Sequence, residues 1–325
     1  MGSGRRMAGI FISRILIFIF SATALTFAQP KKEIKITPYN IETTYEKLKK
    51  DHPFITAVGP EYTEGINVKE DVVYRTLGNR KLKADIYYPK TNGVQLSPAV
   101  LLIHGGGWIS GSKENKRPMA QRLAQEGFAA ITVEYRLSRE APYPAGVIDI
   151  KAALNWIRKN AAKYNIDENK IAVLGASAGA QLATLVGVTP GSNIYKENDC
   201  KIRDEVQAIV NIDGIVSFIH PEAAAEGEIA GLWLGGLKEE NPSSWREASP
   251  LEYTGDSTPP IIFINSTQPR FHAGRDDMIK ILDANGIYSE INTIPNTPHS
   301  FWLVHPWFET TLNYTVEFLN KVFKK

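Results

Sequence analysis

The stretch IAVLGASAGAQLA, Ile171 to Ala183, decides the fold. Ile171 to Leu174 is apolar without a break, as in a strand buried on both faces. Gly175-Ala176-Ser177-Ala178-Gly179 interrupts the run, and a helix follows. Strand, G-x-S-x-G and helix, in that order, make a nucleophile elbow: a strained turn lifts the serine hydroxyl above the sheet. Small residues two positions either side let the strand and helix backbones approach closely. A helix-capping serine is the alternative reading of the string alone. Its place between a buried strand and a helix favours Ser177 as a nucleophile.

LLIHGGGWISGS, Leu101 to Ser112, supplies the partner signal. Glycines directly after a strand permit a turn in which main-chain N–H groups point into a site, since no Cβ blocks approach. Gly106 and Gly107, with Ala178 just after the nucleophile, are the expected oxyanion-hole donors. His104 precedes the glycines and is read as a brace for this loop rather than a base.

Working outward, Val72-Val73-Tyr74 and Leu82, Ala84 and Ile86 alternate around Gly78-Asn79, the pattern of a hairpin. A continuous apolar run at 99–103 predicts a buried strand, and 129–133, 171–174, 206–212, 261–264 and 288–294 supply further strands. Residues at helical spacing separate them, including Met119, Leu123 and Phe128 and the segment 147–157. Alternating strands and helices mean an α/β protein with a doubly wound, mainly parallel sheet. Gly214 to Pro260 is too long for a simple crossover and predicts a small insertion over the C-terminal strand edge.

The elbow and the H-G-G-G-W loop, in this order and separation, resemble the α/β-hydrolase fold. The similarity is to its hormone-sensitive-lipase-like and bacterial carbohydrate-esterase branch. VEYRL (133–137) and NIDENKIAVLGASAGA (165–180) match that branch too, and the resemblance runs from about Asp71 to the C-terminus. Chain order in this fold puts the acid and then the histidine after the nucleophile. His299, in TPHSFW a few residues beyond the last strand, fits the branch's P-H-x-F step as the base. His305 precedes Pro306 and is read as a cap for the last helix.

The acid is harder. In most relatives it follows the penultimate strand, which here would put it near Pro269, and INSTQPRFHAGRDDM (264–278) has no carboxylate there. Asp276 and Asp277 come later, where they suit the first turn of a helix. Asp213, in AIVNIDG, ends the preceding strand, and some lipases of this fold carry their acid at such a strand end. Asp213 is therefore the expected acid and Asp276 the runner-up. Arg270, His272 and Arg275 then read either as a surface loop salt-bridged to Asp276 and Asp277 or as free for another task. The span containing them resembles exported bacterial esterases associated with pectin breakdown, which implies that these cations face free carboxylates. Trp108 and Trp302 would either offer stacking faces for sugar or serve as core aromatics.

Arg5, Arg6 and Arg14 before the apolar run Ile15 to Leu25, with Thr26-Phe27-Ala28 after it, read as a signal peptide over residues 1–28. A linker and N-terminal arm over 29–65 and a catalytic domain over 66–325 complete the expected organisation. Removing the leader takes three of the 37 bases and none of the 35 acids, so the net charge passes from +2 to −1. No basic face for nucleic acid is indicated. Cys200 is the sole cysteine, which excludes an intramolecular disulfide. The histidines lack metal-ligand spacing, so neither metal nor cofactor is expected.

The sequence thus predicts an exported, periplasmic or extracellular serine carboxylesterase without stable membrane insertion after leader removal. Its expected substrate is a plant cell-wall polysaccharide ester, with pectin (methyl or acetyl esters) preferred and acetyl- or feruloyl-xylan the near alternative. A serine peptidase is a distant alternative. A catalytically inactive hydrolase fold acting as a binding module is the alternative from another class.

Overall fold

Asn40 opens the first helix because its side chain and that of Thr43 each accept from the other's backbone N–H, at 2.8 and 3.2 Å, closing a capping box. This helix is α1 (Ile41–Leu48), and β1 (Thr56–Ala57) follows it. The computed structural model describes residues 36–59, 62–90, 96–196 and 203–324, with residues 1, 2 and 4 besides. The expected leader, apart from those last three residues, and Cys200 lie outside the described residues. So part of what the sequence reads as linker and arm is a helix with its own core contacts: Leu48, Ile55 and Val58 are buried in one of the two hydrophobic clusters that flank the sheet.

Alternating residues then build the hairpin of β2 (Ile66–Leu77) and β3 (Arg80–Pro89), closed at Gly78-Asn79. Beyond it come β4 (Ser97–Ile103), α2 (Arg117–Gln125), β5 (Ala129–Val133), α3 (Ala145–Lys159), β6 (Ile166–Ala176) and α4 (Ala178–Val188). Next are β7 (Ala208–Ile212), the insertion helices α5 (Gly227–Leu234) and α6 (Pro242–Glu247), β8 (Ile261–Asn265), α7 (Arg275–Ala284) and β9 (Ser289–Thr293). The chain ends with β10 (Val304–His305) and α8 (Trp307–Phe323).

Among the described residues one sheet has the order β2-β3-β5-β4-β6-β7-β8-β9. The hairpin pairs antiparallel with β5, and every later neighbour is parallel. This is the α/β-hydrolase fold. The period of two along each strand divides the core. Leu101 and Ile103 of β4 face α3, α4 and α7, whereas Val100 and Leu102 face α2 and α8. With both faces covered, the middle strands contain almost nothing but apolar residues, which is why they read as continuous runs.

The last helix departs from expectation. Its N-cap is Pro306, with no side-chain cap. His305 instead pairs with Thr56 in the small β1–β10 sheet and meets the Phe308 ring edge-on at 5.5 Å. A residue held in a strand ladder is not at the cap position, so His305 does not cap α8.

Candidate active site

Three parallel strands deliver the polar groups. Ser177 stands between β6 and α4 at φ 56°, a left-handed conformation rare for a residue with a side chain. Its N–H donates to Ile212 O of the neighbouring strand at 2.9 Å, which fixes the turn. A Cβ at Gly175 would overlap the Gly179 carbonyl, so the tight reversal requires glycine there. One strand over, Asp213 ends β7, also at positive φ (51°), with its carboxylate fully buried.

The carboxylate accepts from Ser266 N–H at 2.9 Å and from Ser266 Oγ at 2.9 and 3.0 Å. Its Oδ2 lies 2.7 Å from His299 Nδ1. A carboxylate only accepts, so Nδ1 carries the proton and Nε2 is left as an acceptor. Ser177 Oγ sits 2.9 Å from that Nε2 and donates to it. The hydroxyl, imidazole and carboxylate therefore form one hydrogen-bonded chain. Asp276 is far from this arrangement in kind: its side chain is 71% exposed and bound to Arg275. Asp277 pairs with Lys280 at 2.8 Å.

The imidazole is also held by aromatic rings. Phe271 stacks on it with centroids 3.6 Å apart and planes 12° apart, and Trp302 meets it edge-on at 5.0 Å. Neither Phe271 nor Ser266 was singled out by the sequence. Both belong to the stretch 264–278 that lacks the expected acid, so the segment supports Asp213 and His299 instead of supplying the carboxylate.

The glycine loop lies beside Ser177. Gly106 has φ 120°, and a Cβ there would overlap the Ser110 carbonyl. Its own carbonyl accepts from Ile109 N–H and Ser110 N–H, which closes the turn. Among the described residues, Gly106, Gly107 and Ala178 N–H donate to no protein acceptor. His104 stacks on Tyr135 at 4.4 Å, and its Nδ1 contacts Gly105 O at 2.9 Å. Burial pushes its ring down to about 4, so it stays neutral and donates Nδ1–H to that carbonyl.

Two spaces open from Ser177. One is a pocket of about 40 Å³ bounded by Gly107, Trp108, Ile215, Glu226 and Phe271. The other is a cleft of about 740 Å³ whose walls include Ser110, Gln268 and His299, with Thr37, Tyr39 and Lys47 of the N-terminal arm opposite. His299 lines the cleft and not the pocket.

The residues expected to bind substrate are differently employed. Arg270 pairs with Glu226 at 2.9 Å and lies 4.7 Å over the Phe271 ring. Arg275 is spent on Asn265 Oδ1 (2.9 Å) and Asp276. His272 is half-buried and held below its ordinary pKa, first by burial and then by the Arg275 charge, so it is no cation. Trp108 is 3% exposed, stacked on Trp233 at 5.1 Å and hydrogen-bonded to Gln181, and Trp302 is equally buried. Indoles whose faces are already covered by protein offer no platform to a sugar. Arg270, His272 and Arg275 do not line the cleft.

The BD-FAE family model matches residues 84–281, well over half of the chain. Among curated proteins, the chain is 26% identical over 207 residues to the probable carboxylic ester hydrolase LipM of Mycobacterium tuberculosis, covering 62% of this chain and 46% of LipM. The chain spans about half the length of the curated relatives it matches. Among solved structures, esterase Est2 of Thermogutta terrifontis aligns with TM-score 0.66 and 26% identity over 81% of this chain and 94% of that one. A truncated carbohydrate esterase from gut microbiota aligns at TM-score 0.68 and 22% identity over 83% of this chain and all of the other, a likeness of fold.

Proposed function

The chain belongs to the BD-FAE family, and on that basis we propose that it is an exported serine carboxylic-ester hydrolase that removes short acyl groups from sugars, preferentially acetyl groups of pectin. The observation that carries this reading is the unbroken hydrogen-bonded chain Ser177–His299–Asp213 beside three unengaged N–H groups.

Ser177 Oγ attacks the ester carbonyl carbon while its proton passes to His299 Nε2. Asp213 stabilises the imidazolium so formed and holds the tautomer. Gly106, Gly107 and Ala178 N–H groups receive the oxyanion; losing one such donor typically costs about 10² to 10³ in turnover. His299 then gives the proton to the departing alcohol oxygen, and water attacks the acyl-enzyme with His299 again as base.

The same proton transfer supports the choice of ester. The leaving oxygen must lie against His299, and His299 faces the large cleft. The alcohol is thus the large partner and the acyl group enters the small pocket. About 40 Å³ suits an acetyl group and is too small for a ferulate. Acetyl esters are favoured over methyl galacturonate because a galacturonoyl acyl group is far larger than the small pocket.

The test is product analysis on sugar-beet pectin, citrus pectin and acetylated xylan, with a fluorophosphonate probe on wild type and Ser177→Ala. The reading expects acetate from sugar-beet pectin and labelling that Ser177→Ala abolishes. Methanol without acetate would overturn the acyl assignment, acetate from xylan alone would overturn pectin, and no labelling would overturn the hydrolase.

A further inference from the structure

We propose that Lys47, on the N-terminal helix, recognises a negative charge on the alcohol part of the substrate and so makes the arm a specificity element of the site. This rests on the ester-hydrolase reading above. It replaces Arg270 and Arg275, whose guanidinium groups are occupied elsewhere.

Lys47 lines the same cleft as Ser177 and His299. Among the described residues lining that cleft there is no aspartate, glutamate or arginine, so Lys47 is the one formally charged side chain there. Its acidic neighbour Glu46 is already taken by Lys49 at 2.6 Å, and no ion pair of Lys47 occurs among the described residues. A cation in an otherwise carboxylate-free wall gives the cleft a positive potential, which favours an anionic ligand. The remaining wall includes Thr37, Ser110 and Gln268, whose side chains are of the kind that hydrogen-bond saccharide hydroxyls. An acetylated acidic saccharide is the chemical class that matches both features.

The arm is fixed in place, so the position of Lys47 relative to the nucleophile is set by the fold. Asn115 Nδ2 donates to Tyr39 O at 2.9 Å, and Val58 N–H donates to Leu303 O at 3.3 Å. Tyr39 OH approaches Ser300 Oγ at 3.4 Å, directly beside His299. Thr56 and Ala57 pair with β10 a few residues further on. A lysine in a last helical turn also complements the helix dipole. Only a comparison between substrates separates that role from recognition.

The experiment measures kcat/KM for an acetylated oligogalacturonide and for an acetylated xylo-oligosaccharide of equal length, with wild type, Lys47→Ala and Lys47→Glu. The ratio of acidic to neutral substrate should fall up to about fivefold in Lys47→Ala, as for the loss of one exposed ion pair. It should fall further in Lys47→Glu. About 0.5 M salt should move the wild-type ratio toward that of Lys47→Ala. An unmoved ratio in Lys47→Glu, or an equal loss on both substrates, overturns the role of Lys47 while leaving the hydrolase reading intact. No acetate from either substrate with wild type overturns the hydrolase reading, and this inference with it.

Discussion

Lengthening the acyl chain of a simple ester tests how the site divides its substrate. The pocket beside Ser177 has about 40 Å³, and a water-sized group needs roughly 10–15 Å³. About three such groups fit, whereas acetyl brings two carbons and butyryl four. Overfilling a packed space costs about 1–3 kcal/mol, equivalent to about a 5- to 150-fold loss. The kcat/KM of p-nitrophenyl butyrate should therefore lie below that of the acetate by that factor. Ile215 walls the pocket and is 4% exposed, so Ile215→Ala should raise the butyrate-to-acetate ratio by about tenfold at the expense of a local cavity. If the acyl chain lay instead in open apolar space, each methylene would gain about 0.8 kcal/mol, or about fourfold. A kcat/KM that rises from acetate to butyrate in the wild type would refute the assignment of the pocket.

Asp213→Asn should lower kcat by about 10⁴ with the circular-dichroism spectrum preserved, through the wrong histidine tautomer, while Asp276→Asn stays within a few-fold; the reverse pattern would move the acid to Asp276. Phe271→Ala removes the ring stacked on His299 and should lower kcat by about 2- to 12-fold, the value of an aromatic pair, with Phe271→Tyr close to wild type. Lys116 is buried, and burial lowers its pKa to about 7, with the Trp302 ring 5.8 Å away as partial compensation. The unfolded chain then binds more protons between about pH 7 and 10.5, so stability climbs with pH across that window. Lys116→Met should flatten this slope and raise the Tm at pH 7 by several degrees, from a penalty of up to about 4 kcal/mol. Equal Tm–pH curves for the two proteins in a thermal melt series would contradict this.

Much of the scaffold was legible because its signals are local. The runs that became β4, β5, β7 and β8 are mostly apolar since both faces of a parallel strand are covered, and that pattern needs no knowledge of neighbours. The turn at Ser177 is equally local: glycine and alanine at fixed offsets are what a sharp strand-to-helix reversal requires. Less could be read at 36–59, where a polar surface hid Leu48, Ile55 and Val58, three anchors that reach the core from a short segment. The charge of Arg270 and Arg275 was visible, and so was a salt bridge to Asp276 as one reading, but not that the distant Glu226 takes up Arg270.

By itself, then, the sequence determined the order of strands and helices, the strained turn bearing Ser177, the glycine loop after β4 and the histidine following β9. Those features follow from backbone geometry within a few residues. The tertiary structure decided which carboxylate meets His299, that Ser266 and Phe271 hold that pair, that the arm walls the cleft and that Lys47 rather than the arginines faces it. Asp213 and His299 are 86 residues apart. The parallel registers of β7 with β8 and of β8 with β9 bring the two strand ends to the same edge, and no local pattern encodes which distant groups a closed core will set side by side.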